Sequence, residues 1–183
     1  SKCAYCGFYS VVGGSMRKDW LKAICKEIAA RKDELGEATI HKTLYFGGGT
    51  PSMLNRHEWE AILQELNNYY HITPNAERTL EANPEDITLE NALMWRELGF
   101  NRLSIGVQTL NNRALQESNR RHSADEARSA IEDAHKAGFE NIGIDFIIGL
   151  PHSQGKAIEL ASQLLNEAPI THVSLYILSL DEG

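Results

Sequence analysis

Long apolar runs, basic clusters and cysteine-rich spacing are all missing from this chain of 183 residues. No uninterrupted apolar stretch reaches the roughly 18 residues that a membrane-spanning helix needs, and no secretory signal pattern is present, so the expected compartment is the cytoplasm. Lys and Arg number 18 against 25 Asp and Glu, giving a formal net charge of −7, and they form no run. Such a field repels a nucleic-acid backbone, which sets DNA and RNA aside as partners. With only three cysteines, an odd number, the chain builds no disulfide framework and keeps its thiols reduced for a metal or cluster. No Pro/Gly/Ser-rich linker or break in composition divides it, so one domain is expected over residues 1–183. What is present is an apolar content of 42% against 23% charged residues, enough for a sizeable core.

Short β-rich runs alternate with amphipathic helices. Met16, Trp20, Leu21, Ile24 and Ile28 form a helical stripe over Met16 to Leu35, closed by Gly36, with Cys25 expected in the core beside Ile24. A strand follows at Thr43 to Phe46, and Asn55 with Glu58 opens a helix through Trp59, Ile62, Leu63 and Leu66. Arg78 to Ala82 reads as a strand, Thr88 to Leu98 as a helix capped by Gly99, and Arg102 to Val107 as the next strand. Ser123 and Glu126 make a capping box for a helix that runs to Gly138. Asn141 to Leu150 is nearly continuously apolar, the pattern of a parallel strand covered on both faces, and a helix near Lys156 to Glu167 leads to a last strand, Val173 to Leu180. Alternating strands and helices imply right-handed crossovers and a parallel α/β sheet, open or curled into a barrel.

Parallel α/β folds place ligands at the C-terminal ends of their strands, and polar groups collect there. The first strand ends in Gly47, Gly48, Gly49 and Thr50, the second in Glu81, the third in Gln108, and the fourth carries Asp145. A carboxylate in an apolar run is costly unless it accepts hydrogen bonds or meets a cation. Each has a structural explanation: Glu81 caps a turn into Asn83-Pro84, Gln108 satisfies loop backbone, Asp145 pairs with an arginine. Four in register on consecutive strands are harder to explain in that way. The glycine turn lacks both GxGxxG and GxxxxGK[ST], which argues against a phosphate loop.

Cys3 and Cys6 form a CxxC compatible with zinc, a redox disulfide or a cluster. Zinc needs two more ligands, and histidines 41, 57, 71, 122, 135, 152 and 172 are scattered, none at metal spacing from another; none is nominated as a haem ligand. The aromatic Tyr5 before Cys6 and the glycine turn resemble the radical S-adenosylmethionine (SAM) superfamily, whose signature is CxxxCx(aromatic)C. The strings Tyr45-Phe46-Gly47-Gly48-Gly49-Thr50-Pro51-Ser52, Glu81-Ala82-Asn83-Pro84, Leu103-Ser104-Ile105-Gly106-Val107-Gln108 and Asp145-Phe146-Ile147-Ile148-Gly149-Leu150-Pro151 are similar to the oxygen-independent coproporphyrinogen III oxidase family, which includes the HemW haem chaperones. The oxidases carry a further cysteine where this chain has Phe8, and Cys3 to Ser10, like Ser174 to Leu178, is closer to the chaperone pattern.

The resemblance implies a partial (β/α)6 barrel of the radical SAM type, with its first strand and first cluster cysteine upstream of Ser1 and a substrate-contacting region beyond Gly183. It implies a [4Fe–4S] cluster on Cys3 and Cys6, and SAM held by Tyr5, Gly47, Gly48, Gly49, Thr50, Glu81, Gln108, Arg120 and Asp145. Arg120 is followed by Arg121, and a basic pair in a loop is more often simply solvated. As a carrier, the protein would bind haem and pass it to an acceptor protein. As an enzyme, it would draw electrons from a donor such as flavodoxin and decarboxylate a porphyrinogen oxidatively through a 5′-deoxyadenosyl radical. Phe8 favours the carrier.

In the full-length protein, Cys3→Ala or Cys6→Ala is expected to abolish the iron–sulfur absorbance and EPR signal, while Cys25→Ala leaves both intact. Full iron retention in the first two variants would contradict the cluster reading.

Overall fold

Alternation of apolar and polar residues along short parallel strands sets the architecture. The computed structural model describes residues 2–8, 16–36, 39–153 and 156–179. In chain order these form α1 (Arg17–Ala30), β1 (Ile40–Phe46), α2 (Arg56–Tyr69), β2 (His71–Ala82), α3 (Leu89–Glu97), β3 (Arg102–Gln108), α4 (Asn112–Glu117), α5 (Ala124–Lys136), β4 (Asn141–Ile148), α6 (Ala157–Glu167) and β5 (His172–Ile177). The sheet order is β1-β2-β3-β4-β5 and every neighbouring pair is parallel. Because each crossover advances the sheet by one strand in the same direction, it curls into a half barrel with helices outside, the α/β class expected from the sequence.

Local chemistry starts and stops the helices. Asn55 and Glu58 exchange hydrogen bonds at the head of α2, with Oδ1 accepting from the Glu58 N–H at 3.0 Å and the Glu58 carboxylate accepting from the Asn55 N–H at 2.8 Å. Ser123 and Glu126 make the same reciprocal pair at α5. Gly99 (φ 92°) and Gly138 (φ 94°) reverse the chain after α3 and α5 in the left-handed region that other residues avoid.

The outward face of the sheet is the core. Leu80, Leu103, Ile105, Ile142, Ile144 and Phe146 are fully buried against Trp95, Ile131 and Leu164 of the helices. Phe46, Trp59 and Phe100 meet edge to face, with ring centroids 5.0, 5.4 and 4.9 Å apart. The inward face is different. Register sets Tyr45, Thr79, Arg102 and Asn141 in one row, and Glu81, Ser104 and Gly143 in the next, with Asp145 opposite Ser174 just beyond. β4 is therefore not covered alike on both faces: Ile142, Ile144 and Phe146 meet helices, whereas Asn141 and Asp145 face the inside of the half barrel.

Several boundaries differ from the sequence expectation. α1 ends at Ala30 and passes through a turn to Gly36, and it has no buried residue, so Cys25 is half-buried rather than core. The stripe of α1 rests mainly on α2, where Cys25 lies near Glu65. β2 starts at His71, with a break in its pairing to β1 between His41 and Thr43. The residues of β2 passed over there include Pro74, which lacks the N–H a ladder needs, so the sequence around it does not read as strand. α4 is an additional helix, and β4 ends at Ile148 where Gly149 takes φ 94°. Tyr9 and Ser10 of the cysteine motif, and Leu180 of the expected last strand, lie outside the described residues.

Phe100→Ala should destabilise the fold by about 3–5 kcal/mol, since it empties the centre of the three-ring cluster. Denaturant unfolding measures this, and a loss below about 1 kcal/mol would mean that the cluster is not the structural centre.

Candidate functional site

The inward row rises to a cleft at the C-terminal ends of the strands. Gly48 (φ 75°) and Gly49 (φ 63°) turn the chain after β1 in a conformation that only glycine adopts freely, and a Cβ on either would meet nothing within 4 Å, so the turn is open above. Gly47 is crowded instead, because a Cβ there would sit 2.6 Å from both Glu81 Oε1 and Tyr45 Cε1. Thr50 follows the open glycines and begins the short turn Pro51–Met53, its side chain making no capping hydrogen bond.

Glu81, at the end of β2, is held from two sides. The Tyr45 hydroxyl donates to Oε1 at 2.6 Å and the Gly48 N–H donates to Oε2 at 2.9 Å. Burial, the hydrogen bond to Glu81 and the charges of Glu81 and Asp145 raise the Tyr45 pKa, so this phenol stays a donor. Asp145 lies on the same inward face and accepts from the Ser104 hydroxyl at 3.1 Å. Burial raises its pKa, Ser174 and Ser104 oppose that by hydrogen bonding, Glu81 raises it further and Arg102 lowers it. Two carboxylates thus look into one space, with Arg102 as the cation beneath Asp145.

A second group of residues adjoins the first, two positions further along β2 and β3. The ladder between β3 and β4 shifts between Ile105 and Gln108, and Gln108 itself has φ 65°. The bulge and the left-handed residue fold the Gln108 side chain back over Gly106, where a Cβ would be 2.8 Å from Gln108 Nε2, 3.3 Å from Arg120 Nη2 and 3.6 Å from Asn83 Oδ1. Arg120 donates from Nη2 to Asn83 Oδ1 at 2.9 Å and to the Gly106 carbonyl at 2.8 Å, and from Nη1 to Cys3 Sγ at 3.4 Å. The expectation of a solvated Arg pair fails for Arg120 and holds in part for Arg121, which pairs at the surface with Glu85 at 3.2 Å.

The reason is the end of α4. Asn119 (φ 57°) donates to Gln116 O at 3.0 Å and Arg120 N–H donates to Leu115 O at 2.9 Å, the double closure of a Schellman motif with asparagine in the usual glycine position. That turn sends Arg120 inward and Arg121 outward. The Cys3 segment docks on the same helix end, with Ala4 N–H donating to Ser118 O at 3.1 Å, and Cys6 N–H closes a turn onto Cys3 O at 3.1 Å. Tyr5 packs with Ala114, Ile147, Leu150 and Leu178. Its hydroxyl is buried without a hydrogen-bond partner among the described residues, and burial above all pushes its pKa up to about 12.

The structure therefore brings together, along one rim, Cys3, Tyr5, Gly47, Gly48, Glu81, Gln108, Arg120 and Asp145, with Gly49, Thr50 and Cys6 adjoining. Sequence reasoning passed over Tyr45, Asn83 and Ser104. The signal for Ser104 is a hydroxyl in an apolar strand, directly opposite Glu81 in register. As for a cluster, Cys3 and Cys6 offer two thiols on one turn, with the Arg120 guanidinium against Cys3 Sγ. Cys25 supplies no third, since it faces Glu65 on the α1–α2 side. Among the described residues no three His, Cys, Asp or Glu side chains group as a metal site, which leaves the zinc alternative two ligands short.

The model of the radical SAM superfamily matches residues 1–165. The heme chaperone HemW of Buchnera aphidicola subsp. Schizaphis graminum is 33% identical over 182 residues, covering 98% of this chain and 48% of its own length. HemW of Mycobacterium tuberculosis is 32% identical over 187 residues, covering 100% of this chain and 48% of the relative. Among solved structures, the coproporphyrinogen III oxidase HemN of Escherichia coli, described as a radical SAM enzyme, superposes with a TM-score of 0.85 at 28% identity, over 98% of this chain and 42% of that one. The chain spans about half the length of the curated relatives it matches.

Gly47→Ala should leave the fold intact, because its backbone is not left-handed and the nearest atoms belong to the side chains of Glu81 and Tyr45 rather than to backbone. The added methyl must, however, push the carboxylate off Tyr45 and Gly48, so ligand affinity at the rim should fall by roughly tenfold or more. Unchanged affinity in a titration of the folded variant would contradict a role for this carboxylate.

Proposed function

Since the chain belongs to the radical SAM superfamily, we propose that residues 1–183 are the SAM-binding core of a cytoplasmic haem chaperone. The family implies a [4Fe–4S] cluster and SAM. The observation that carries the SAM site is the convergence of Glu81, Gln108, Arg120 and Asp145 on one rim beside the open glycine turn and Cys3.

Cys3 and Cys6 would hold the cluster. When bound, the cluster supplies an electron for the reductive cleavage of SAM. The chain's own residues do the rest. Gly48 and Gly49 let backbone amides approach the methionyl end of SAM without side-chain interference, and Thr50 adds a hydroxyl. Glu81, pre-oriented by Tyr45 and Gly48, accepts from the ammonium group. Gln108 and Asp145 accept from ribose hydroxyls, the second kept in place by Ser104. Arg120 lies against Cys3 Sγ and spans to Asn83 and Gly106. Tyr5 packs near the adenine.

Haem enters through Phe8 and the relatives. Phe8 stands where the oxidases carry a cysteine, and an apolar aromatic neither ligates iron nor transfers a proton. The HemW relatives match over nearly the whole chain. A reductase partner such as flavodoxin and a haem-accepting protein complete the reading. The likeness to coproporphyrinogen III oxidase favours a second reading, oxidative decarboxylation of a porphyrinogen at the same SAM site.

The two part in one experiment. Reconstituted anaerobically, the full-length protein is expected to bind SAM and haem, to pass haem to an apo-acceptor, and to form no protoporphyrinogen from coproporphyrinogen III. Chromatographic detection of protoporphyrinogen above background, under reducing conditions, would reverse the assignment to the enzyme.

A further inference from the structure

His122 is buried yet belongs to none of the groups described so far. Its Nε2 faces the carbonyl of Val107 at 3.2 Å and its Nδ1 faces Glu85 Oε2 at 3.2 Å. A carbonyl and a carboxylate are both acceptors, so the ring bridges two oxygens from segments far apart in sequence. Burial works against the Glu85 charge, but hydrogen bonds from His122 and from its own backbone N–H, with Arg120 nearby, lower its pKa to about 2. The ring lies just before Ser123, the N-cap of α5.

The carbonyl that the ring grips is the hinge of the strained segment at the rim. Val107 O also accepts from Thr109 N–H at 2.8 Å, closing a three-residue γ-turn around Gln108, whose φ of 65° gives it the rare, strained hand. The same ring is two residues from Arg120, on the loop that leads from α4 to α5. One side chain therefore ties the turn that aims Gln108 to the loop that aims Arg120.

Resting on the SAM-site reading above, we propose that His122, bridging Glu85 and the Val107 carbonyl, is a positioning residue that fixes Gln108 and Arg120 at the SAM site. Removing the ring frees the Val107 carbonyl from the α4–α5 loop, so the γ-turn that aims Gln108 and the loop that carries Arg120 lose their common anchor.

The test is SAM affinity of the reconstituted full-length protein, with amide hydrogen exchange at Thr109, in the wild type and in His122→Ala and His122→Gln. His122→Ala should bind SAM roughly tenfold more weakly or worse and exchange the Thr109 amide faster, and His122→Gln, whose amide can still donate to the Val107 carbonyl, should recover part of both losses. Where His122→Ala does not fold, His122→Gln alone carries the comparison, with an intermediate loss expected. SAM affinity and Thr109 exchange in the folded variants equal to wild type overturn the proposal. If the wild type binds no SAM at all, the SAM reading fails and takes the positioning role with it, while faster Thr109 exchange in the variants would still establish that the ring holds the γ-turn.

Discussion

Side-chain alternation along five parallel strands is the constraint on which the rest of the structure depends. Because successive residues of a strand point to opposite faces, the register that places Leu80, Leu103, Ile142 and Ile144 against the helices necessarily turns Glu81, Ser104 and Asp145 to the other side. Burial of the apolar set stabilises the sheet by roughly 25 cal/mol per Å² removed from water. The polar row inside is thus fixed by the packing outside it. A one-residue slip of β2 or β4 would exchange the two sets at once, and so the carboxylates are held in place by the core as well as by their own hydrogen bonds.

Alternation alone delivers side chains to a face; departures from regular structure aim them. The Gly48-Gly49 turn, the bulge after Ile105 and the left-handed Asn119 each break a regular element at the same end of the half barrel. Each break has a local partner that offsets its cost: Gly48 N–H is bound by Glu81, Val107 O by Thr109 and His122, and the last carbonyls of α4 by the backbone of Asn119 and Arg120. Electrostatics then follows from crowding. Asp145 is largely withdrawn from water with Glu81 and Arg102 near it, whereas Arg120 is surrounded by the Asn83 and Gly106 oxygens and the Cys3 sulfur. The rim offers acceptors at one end and a cation beside sulfur at the other, a polarity suited to a ligand that carries an ammonium group and hydroxyls toward the carboxylates.

How much of this was legible depends on how local each signal is. Helix starts at Asn55 and Ser123 follow from two residues three apart, and both capping boxes form as read. Glu81 and Asp145 stood out because each interrupts an apolar run, and parity within the strands suffices to put them on a shared face. Arg120 was not legible as an inward residue, since its direction depends on a left-handed Asn119 at the end of a six-residue helix too short to show periodicity. His122 looked like any lone histidine, because its two partners, Glu85 and the Val107 carbonyl, lie far away in sequence. Cys25 misled for the opposite reason: a clean helical stripe predicts contact but not depth, and α1 lies on α2 at the edge of the fold.

The central claim is that SAM lies on the inward row, with its methionyl end at the glycine turn and its ribose toward Asp145. The most direct measurement is a crystal structure of the full-length, cluster-loaded protein with SAM. The account predicts the SAM ammonium within hydrogen-bonding reach of Glu81, about 3 Å, and a ribose hydroxyl at similar distance from Gln108 or Asp145. SAM bound on the helical side of the sheet, or bound at the rim with neither Glu81 nor Asp145 in contact, would contradict it.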